Sequence, residues 1–238
     1  MKTGFLPVSY QEASWDSTDK TVTYSEKTAT TYTVVTSTTT AFADGKLCVV
    51  AGNVTNANRI SVTGTASLIL MDGATLTASK GITVEDGNTL NIYAQSSGTG
   101  ALSASAGEYK AGIGGDSSSR KGGTVNIHGG KITARGGQYA AGIGGGYDND
   151  SSTGGIGGTV TIYGGTVTAN GGSGAGIGGG NGGSVGELTL SGSGRIVATG
   201  GAGAAAVGGG LGGAGVHLPQ AHPRVEAVRE VHALALPF

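Results

Sequence analysis

Charge is scarce in this chain. Only 12 % of its 238 residues are charged, and the 14 basic and 15 acidic side chains leave a formal net charge of −1. No nucleic acid and no anionic membrane is expected as a partner, because both are drawn to clustered lysine and arginine. Cysteine is rarer still. Cys48 stands alone, which excludes an intrachain disulfide or a cysteine-based zinc cluster and casts it as a small buried hydrophobe. With three phenylalanines and one tryptophan, any core has to be aliphatic. No run of about 18 apolar residues occurs, so no membrane span is expected. Residues 1–10 lack the apolar stretch of a signal peptide. The Thr- and Ser-rich, Cys-poor composition nonetheless favours an exported bacterial protein, secreted or at the cell surface, expressed without its leader.

What the chain has in excess is glycine, 50 residues, about three times the ordinary share. The length fits one or two domains. Self-similarity explains the glycine. Gly123-Thr124-Val125-Asn126-Ile127-His128-Gly129-Gly130 recurs as Gly158-Thr159-Val160-Thr161-Ile162-Tyr163-Gly164-Gly165, each followed by a second short strand at 131–134 and 166–169. A third element, Ala-Gly-Ile-Gly-Gly, starts at Ala111, Ala141 and Ala175, with a degenerate copy around Ala205 and Val207. Strands this short cannot bury themselves within one repeat, so the repeats must stack.

The stacking predicted is all-β, a right-handed parallel β-helix with three faces. Period-2 alternation assigns the inward residues. Leu90 and Ile92, Val125 and Ile127, Val160 and Ile162, and Leu188 and Leu190 fill face one, with Leu68 aligned to Leu90. Leu76 and Ala78, Leu102 and Ala104, Ile132 and Ala134, Val167 and Ala169, and Ile196 and Ala198 fill face two. Ile82, Ile113, Ile143, Ile177 and Val207 fill face three, and glycine clusters turn the corners. Residues 1–44 read as an N-terminal cap, 45–213 as the β-helix, and 214–238 as a C-terminal cap or a non-native tail, since the glycines stop after Gly215 and three of the four prolines gather beyond it.

Catalysis on such a scaffold needs acidic residues gathered on one face. The outward positions Thr124, Asn126, Thr159 and Thr161 on face one, and Lys131, Thr133, Thr166 and Thr168 on face two, supply none. Glu85, Asp86, Glu108 and Glu187 fall on different corners or coils. Gly174-Ala175-Gly176-Ile177-Gly178-Gly179 fits G-x-G-x-x-G only because the chain is so glycine-rich, and no helix is expected after it. No enzyme is expected. For metal, Asp116, Asp148 and Asp150 lie in loops just after the Ile-Gly-Gly element of neighbouring coils, where stacking would gather them into an oxygen-rich structural calcium site or leave them as solvated loop tips. No other cofactor is expected.

Two surfaces suit binding. Tyr93, His128 and Tyr163 follow the face-one strand in three consecutive coils, which places their rings in one column about 4.8 Å apart. Such a ladder suits a sugar chain, with Asn126 and Lys131 close by to hydrogen-bond hydroxyls; a purely structural stack is the plainer alternative. On face three the outward positions are glycines, a trough flanked by Tyr109 and Tyr139 on one side and by Tyr147 and the aspartates on the other, unless the chain's own loops fill it.

The run Ala141-Gly142-Ile143-Gly144-Gly145-Gly146 with the 158–169 strand pair resembles the glycine-rich repeats of surface and secreted proteins of gut bacteria. It is similar too to the β-helical carbohydrate-binding modules joined to plant-polysaccharide-degrading enzymes such as xylanases. The resemblance covers about residues 34–213. It implies a non-catalytic module that holds a covalently linked catalytic domain on xylan or a related polysaccharide. An adhesive or structural surface repeat is the alternative, and a polysaccharide lyase or glycosidase a more distant one.

Overall fold

The computed structural model describes residues 6–116, 121–149 and 153–213. Among these the regular elements are all strands, and the coils wind as a right-handed parallel β-helix, the hand that parallel crossovers adopt. Face one stacks seven parallel strands, from Thr33–Val34 and Leu47–Val50 through Thr65–Leu70, Thr89–Ala94, Thr124–Ile127 and Thr159–Ile162 to Glu187–Leu190. Face two stacks six, from Val54–Asn56 to Arg195–Thr199, and face three seven short ones, from Ala41–Phe42 to Val207–Gly208. The inward residues of all three meet in a single aliphatic cluster in which Ile60, Leu76, Ile82, Leu90, Leu102 and Ile113 are fully buried. Cys48 belongs to it, and burial pushes its thiol up to about 11.

The register on face three is the expected one, Ile82, Ile113, Ile143, Ile177 and Val207 pairing in sequence. Face two likewise pairs Leu76, Leu102, Ile132, Val167 and Ile196. One alignment on face one is corrected: Leu90 pairs with Ala66, and Leu68 with Ile92. The apolar run Leu68-Ile69-Leu70 hid the alternation, and the inward position opposite Leu90 is held by the small Ala66. The second glycine of each Ala-Gly-Ile-Gly-Gly copy, at 114, 144, 178 and 208, has φ between 132° and 146°. A side chain strains that backbone, which is why this position repeats so faithfully.

Residues 6–44 do more than close an end. Thr33–Val34 and Ala41–Phe42 supply the first rungs of faces one and three, and the segment between them covers the end of face two, where buried Asn56 donates to the carbonyls of Thr36 (3.2 Å) and Thr39 (2.6 Å). Ahead of them β1 (Val8–Asp16) and β2 (Thr21–Ala29) form an antiparallel hairpin. It lies along the outside of face one, bridged to it at Gln11 and Ala94. A second small core, with Val8, Ala29, Tyr32, Val49, Ile69 and Tyr93, seals the two layers. The C-terminal segment 214–238, read as a cap or tail, lies outside the described residues.

Candidate functional site

The aromatic column on face one exists as a stack. Tyr93 and His128 have centroids 4.4 Å apart and planes 21° off parallel; His128 and Tyr163 are 5.1 Å apart at 24°. It is not an open platform, because the hairpin roofs it. Tyr10 packs on Tyr93 at 4.8 Å, the Ala13 N–H donates to His128 Nδ1 (3.1 Å), and the Tyr24 hydroxyl donates to the Tyr163 carbonyl (2.7 Å). Only 7 % of Tyr93 and 9 % of His128 remain exposed. Burial, reinforced by Glu12, pushes the Tyr93 phenol up to about 12. Burial also pulls His128 below its ordinary value, and the Ala13 N–H needs an unprotonated Nδ1 to accept it, so the imidazole is neutral with Nδ1 as an acceptor. The expectation of a sugar-binding ladder here is therefore corrected: the outward column through Val49, Ile69 and Tyr93 is apolar enough to demand a second layer. Asn126 joins Asn91 (2.9 Å) in a side-chain ladder on this face, whereas Lys131 begins a face-two strand, away from the stack.

The glycine trough is filled as well. Gly112, Gly114, Gly142, Gly144, Gly176 and Gly178 are all buried. A Cβ on Gly142 would sit 2.6 Å from the Gly176 carbonyl and 2.7 Å from the Asn170 nitrogen, so backbone packs directly on backbone. A return loop lies against the later coils: Gly155 N–H donates to Gly146 O (2.9 Å) and Gly180 N–H to Gly155 O (2.9 Å). The earlier coils are crossed by Arg59, whose guanidinium donates to Thr83 Oγ1 (2.6 Å), Lys80 O (2.7 Å) and Ala111 O (3.1 Å) and pairs with Asp116 at 3.1 Å. Desolvation lowers the Arg59 pKa and Asp116 opposes that shift. The sequence held a signal for this filler: Arg59 stands one residue before an inward isoleucine, as Gly81 and Gly112 do in the next coils.

Of the proposed metal ligands, Asp116 is held by two cations, Arg59 and Lys110 (2.7 Å), which supply the positive charge that calcium would bring. Asp148 lies in a short antiparallel ladder opposite Thr153, and Asp150 is outside the described residues. Among the described residues no group of three or more His, Cys, Asp or Glu could hold a metal ion.

The side chains that do come together at the surface are Tyr109, Tyr139 and Tyr147. Tyr109 and Tyr139 stack across neighbouring coils (5.6 Å, 10°), and Tyr147 lies 5.0 Å from Tyr139 and 6.0 Å from Tyr109, both at 26°. Tyr147 was expected across the trough from the other two; instead its N–H donates to the Tyr109 carbonyl (2.7 Å) and its ring joins theirs. Rings in a single column stand at least about 4.5 Å apart, which would separate the outer pair by about 9 Å. At 6.0 Å the three instead make a triangle, broader than one ring and half-exposed at each. Tyr109 holds φ 68°, a left-handed backbone unusual for a non-glycine residue. Burial, then Glu108 and the two neighbouring phenols, raise its pKa. A second concavity, between faces three and one, has a glycine floor with Thr124, Thr159 and Glu187 at its wall and the Asp86–Lys121 pair (3.0 Å) at its mouth.

Fold and surface together define a parallel β-helix whose chemistry is presented outward from stacked coils. Residues 125–147 and 160–183 match the family described as Beta helix repeat. These are two of the strand-strand-turn units that sequence inspection isolated. No curated protein and no solved structure matches the chain. Repeats of this kind fit a surface repeat or a polysaccharide-related protein. No helix among the described residues is long and apolar enough to cross a membrane.

Proposed function

We propose that the chain is a non-catalytic carbohydrate-binding module for a β-linked plant polysaccharide of the xylan type, carried on a larger secreted enzyme or surface protein. The observation that carries this reading is the triangle of half-exposed tyrosine rings drawn from neighbouring coils. Pyranose C–H faces pack on aromatic rings while phenol hydroxyls hydrogen-bond the sugar. A flat, exposed surface buries little area per sugar, so affinity grows with chain length and stays micromolar or weaker. Electrophoresis through gels containing soluble xylan, β-glucan or mannan tests the reading. Retardation by xylan without release of reducing sugar, abolished in Tyr109→Ala/Tyr139→Ala and retained in Tyr163→Ala, is the expected result. Failure of the unaltered protein to be retarded by any of them would sink it.

A further inference from the structure

Face one carries the hairpin, whereas the six strands of face two, like the seven of face three, pair only with one another among the described residues, and on face two the outward residues carry side chains where face three has glycine. Its outward positions form columns in strict register. Thr55, Thr77, Ser103, Thr133 and Thr168 make a hydroxyl ladder across five coils before Val197 ends it. Thr166 separates Lys131 from Arg195 in one flanking column, and Arg135 lies in the other. These three cations are exposed, and none joins an ion pair among the described residues. No outward position of these strands is acidic. In a chain with 15 acidic and 14 basic residues, that segregation is a property of the face and not of the composition. Glu12, Asp16 and Glu26 sit on the hairpin and Asp86 and Glu187 on the opposite corner.

We infer that face two is a binding surface for a linear glycan bearing carboxylates, a uronate-substituted or polyuronate chain, and that it continues the tyrosine corner. Arg135 precedes Tyr139 by one turn of chain, and Ser105 stands likewise before Tyr109, so the two surfaces adjoin. Lys131 and Arg195 are two rungs apart, about 10 Å at the spacing of neighbouring strands. A two-fold linear glycan advances by about one rung per sugar, and its carboxylates return to the same side at every second sugar. The ladder of hydroxyls between the cations offers each sugar a donor and an acceptor, and arginine meets carboxylate through paired N–H groups. The inference rests on the carbohydrate reading above and specifies its ligand.

The test is electrophoresis through gels of uronate-free xylan, glucuronoxylan, polygalacturonate, carboxyl-reduced polygalacturonate and dextran sulfate, at low and high salt. Glucuronoxylan and polygalacturonate should retard the protein more than uronate-free xylan. The excess should fall with salt because exposed charges are screened, vanish on carboxyl reduction, and drop about tenfold in Lys131→Gln/Arg195→Gln, whose thermal melt stays that of the parent. Equal retardation by xylan with and without uronate would overturn the inference and leave the module reading intact. Retardation by uronates alone, surviving Tyr109→Ala/Tyr139→Ala, would support the inference and sink the xylan platform. Dextran sulfate retarding as strongly as polygalacturonate, unaffected by the double substitution, would overturn it as a bare polyanion effect.

Discussion

Faces one and two are built from the same coils and turn the same kind of aliphatic residue inward, yet among the described residues one is roofed by a second sheet and the other is not. The difference lies wholly in the outward column. On face one it runs through Val49, Ile69 and Tyr93, which water solvates poorly, and the hairpin covers it. On face two the corresponding column is threonine and serine, and among the described residues no second sheet forms over it. Face three gives a third solution: with glycine outward, backbone and the Arg59 side chain close the space. In a solenoid, then, the inward residues set the coil and the outward ones decide what each side becomes.

Four substitutions probe that contrast, and the largest effect belongs to what all three faces share. Ile143→Asp puts an unpaired carboxylate in the common core at a cost of several kcal/mol; the melt followed by circular dichroism should fall by about 10 °C or more, and a parental melt would show the register to be wrong. On face three, Gly142→Ala drives a methyl against two backbone segments that cannot both retreat. A loss of about 1–3 kcal/mol in denaturant titration is expected, whereas an open trough would tolerate the change.

The roof on face one brings a pH term. His128 is held below its ordinary value by burial, so above about pH 6.5 both folded and unfolded chains carry neutral imidazole and the stability is fully present. As the pH falls, the unfolded chain takes the proton first, and stability is lost until the pH passes below the folded value. Protonation also gives Nδ1 a hydrogen that opposes the Ala13 N–H. Between about pH 7.5 and 5 the parent should lose on the order of 1 kcal/mol more than His128→Gln; parallel curves for the two proteins would mean that the roof does not sense this proton. The smallest effect belongs to face two, where Thr133→Ala should leave stability within about 0.5 kcal/mol, and a larger loss would reveal a covering layer there.

Period-2 alternation made the coil legible in the sequence because it is a local property: Ile113, Ile143 and Ile177, or Leu102 and Ile132, stand at fixed places in each repeat. It failed locally at Leu68, where three consecutive apolar residues serve two cores at once, Leu68 and Leu70 facing inward and Ile69 facing the hairpin. The candidate site was less legible for a related reason. That Tyr93, His128 and Tyr163 stack follows from spacing, but that they are covered depends on residues 8–29, whose alternation carries no hint of the distant partner. The same blindness placed Tyr147 on the wrong side of face three, since the loop that carries it folds back onto Tyr109 through backbone hydrogen bonds. Arg59, by contrast, was readable: a long cation in a column of glycines has nowhere to go but along them.

The hairpin also fixes an order of assembly. Each coil pairs with the next a few tens of residues away, so the solenoid can grow as the chain emerges, but the roof must wait. Ala13 meets His128 across 115 residues, and Tyr24 meets Ser193 across 169. Closing loops of that length costs entropy that only the finished surface returns. The hairpin, synthesised before every coil it covers, is thus among the last elements to dock, and a nascent chain halted before Ser193 carries the Tyr93–His128–Tyr163 ladder with its cover incompletely latched.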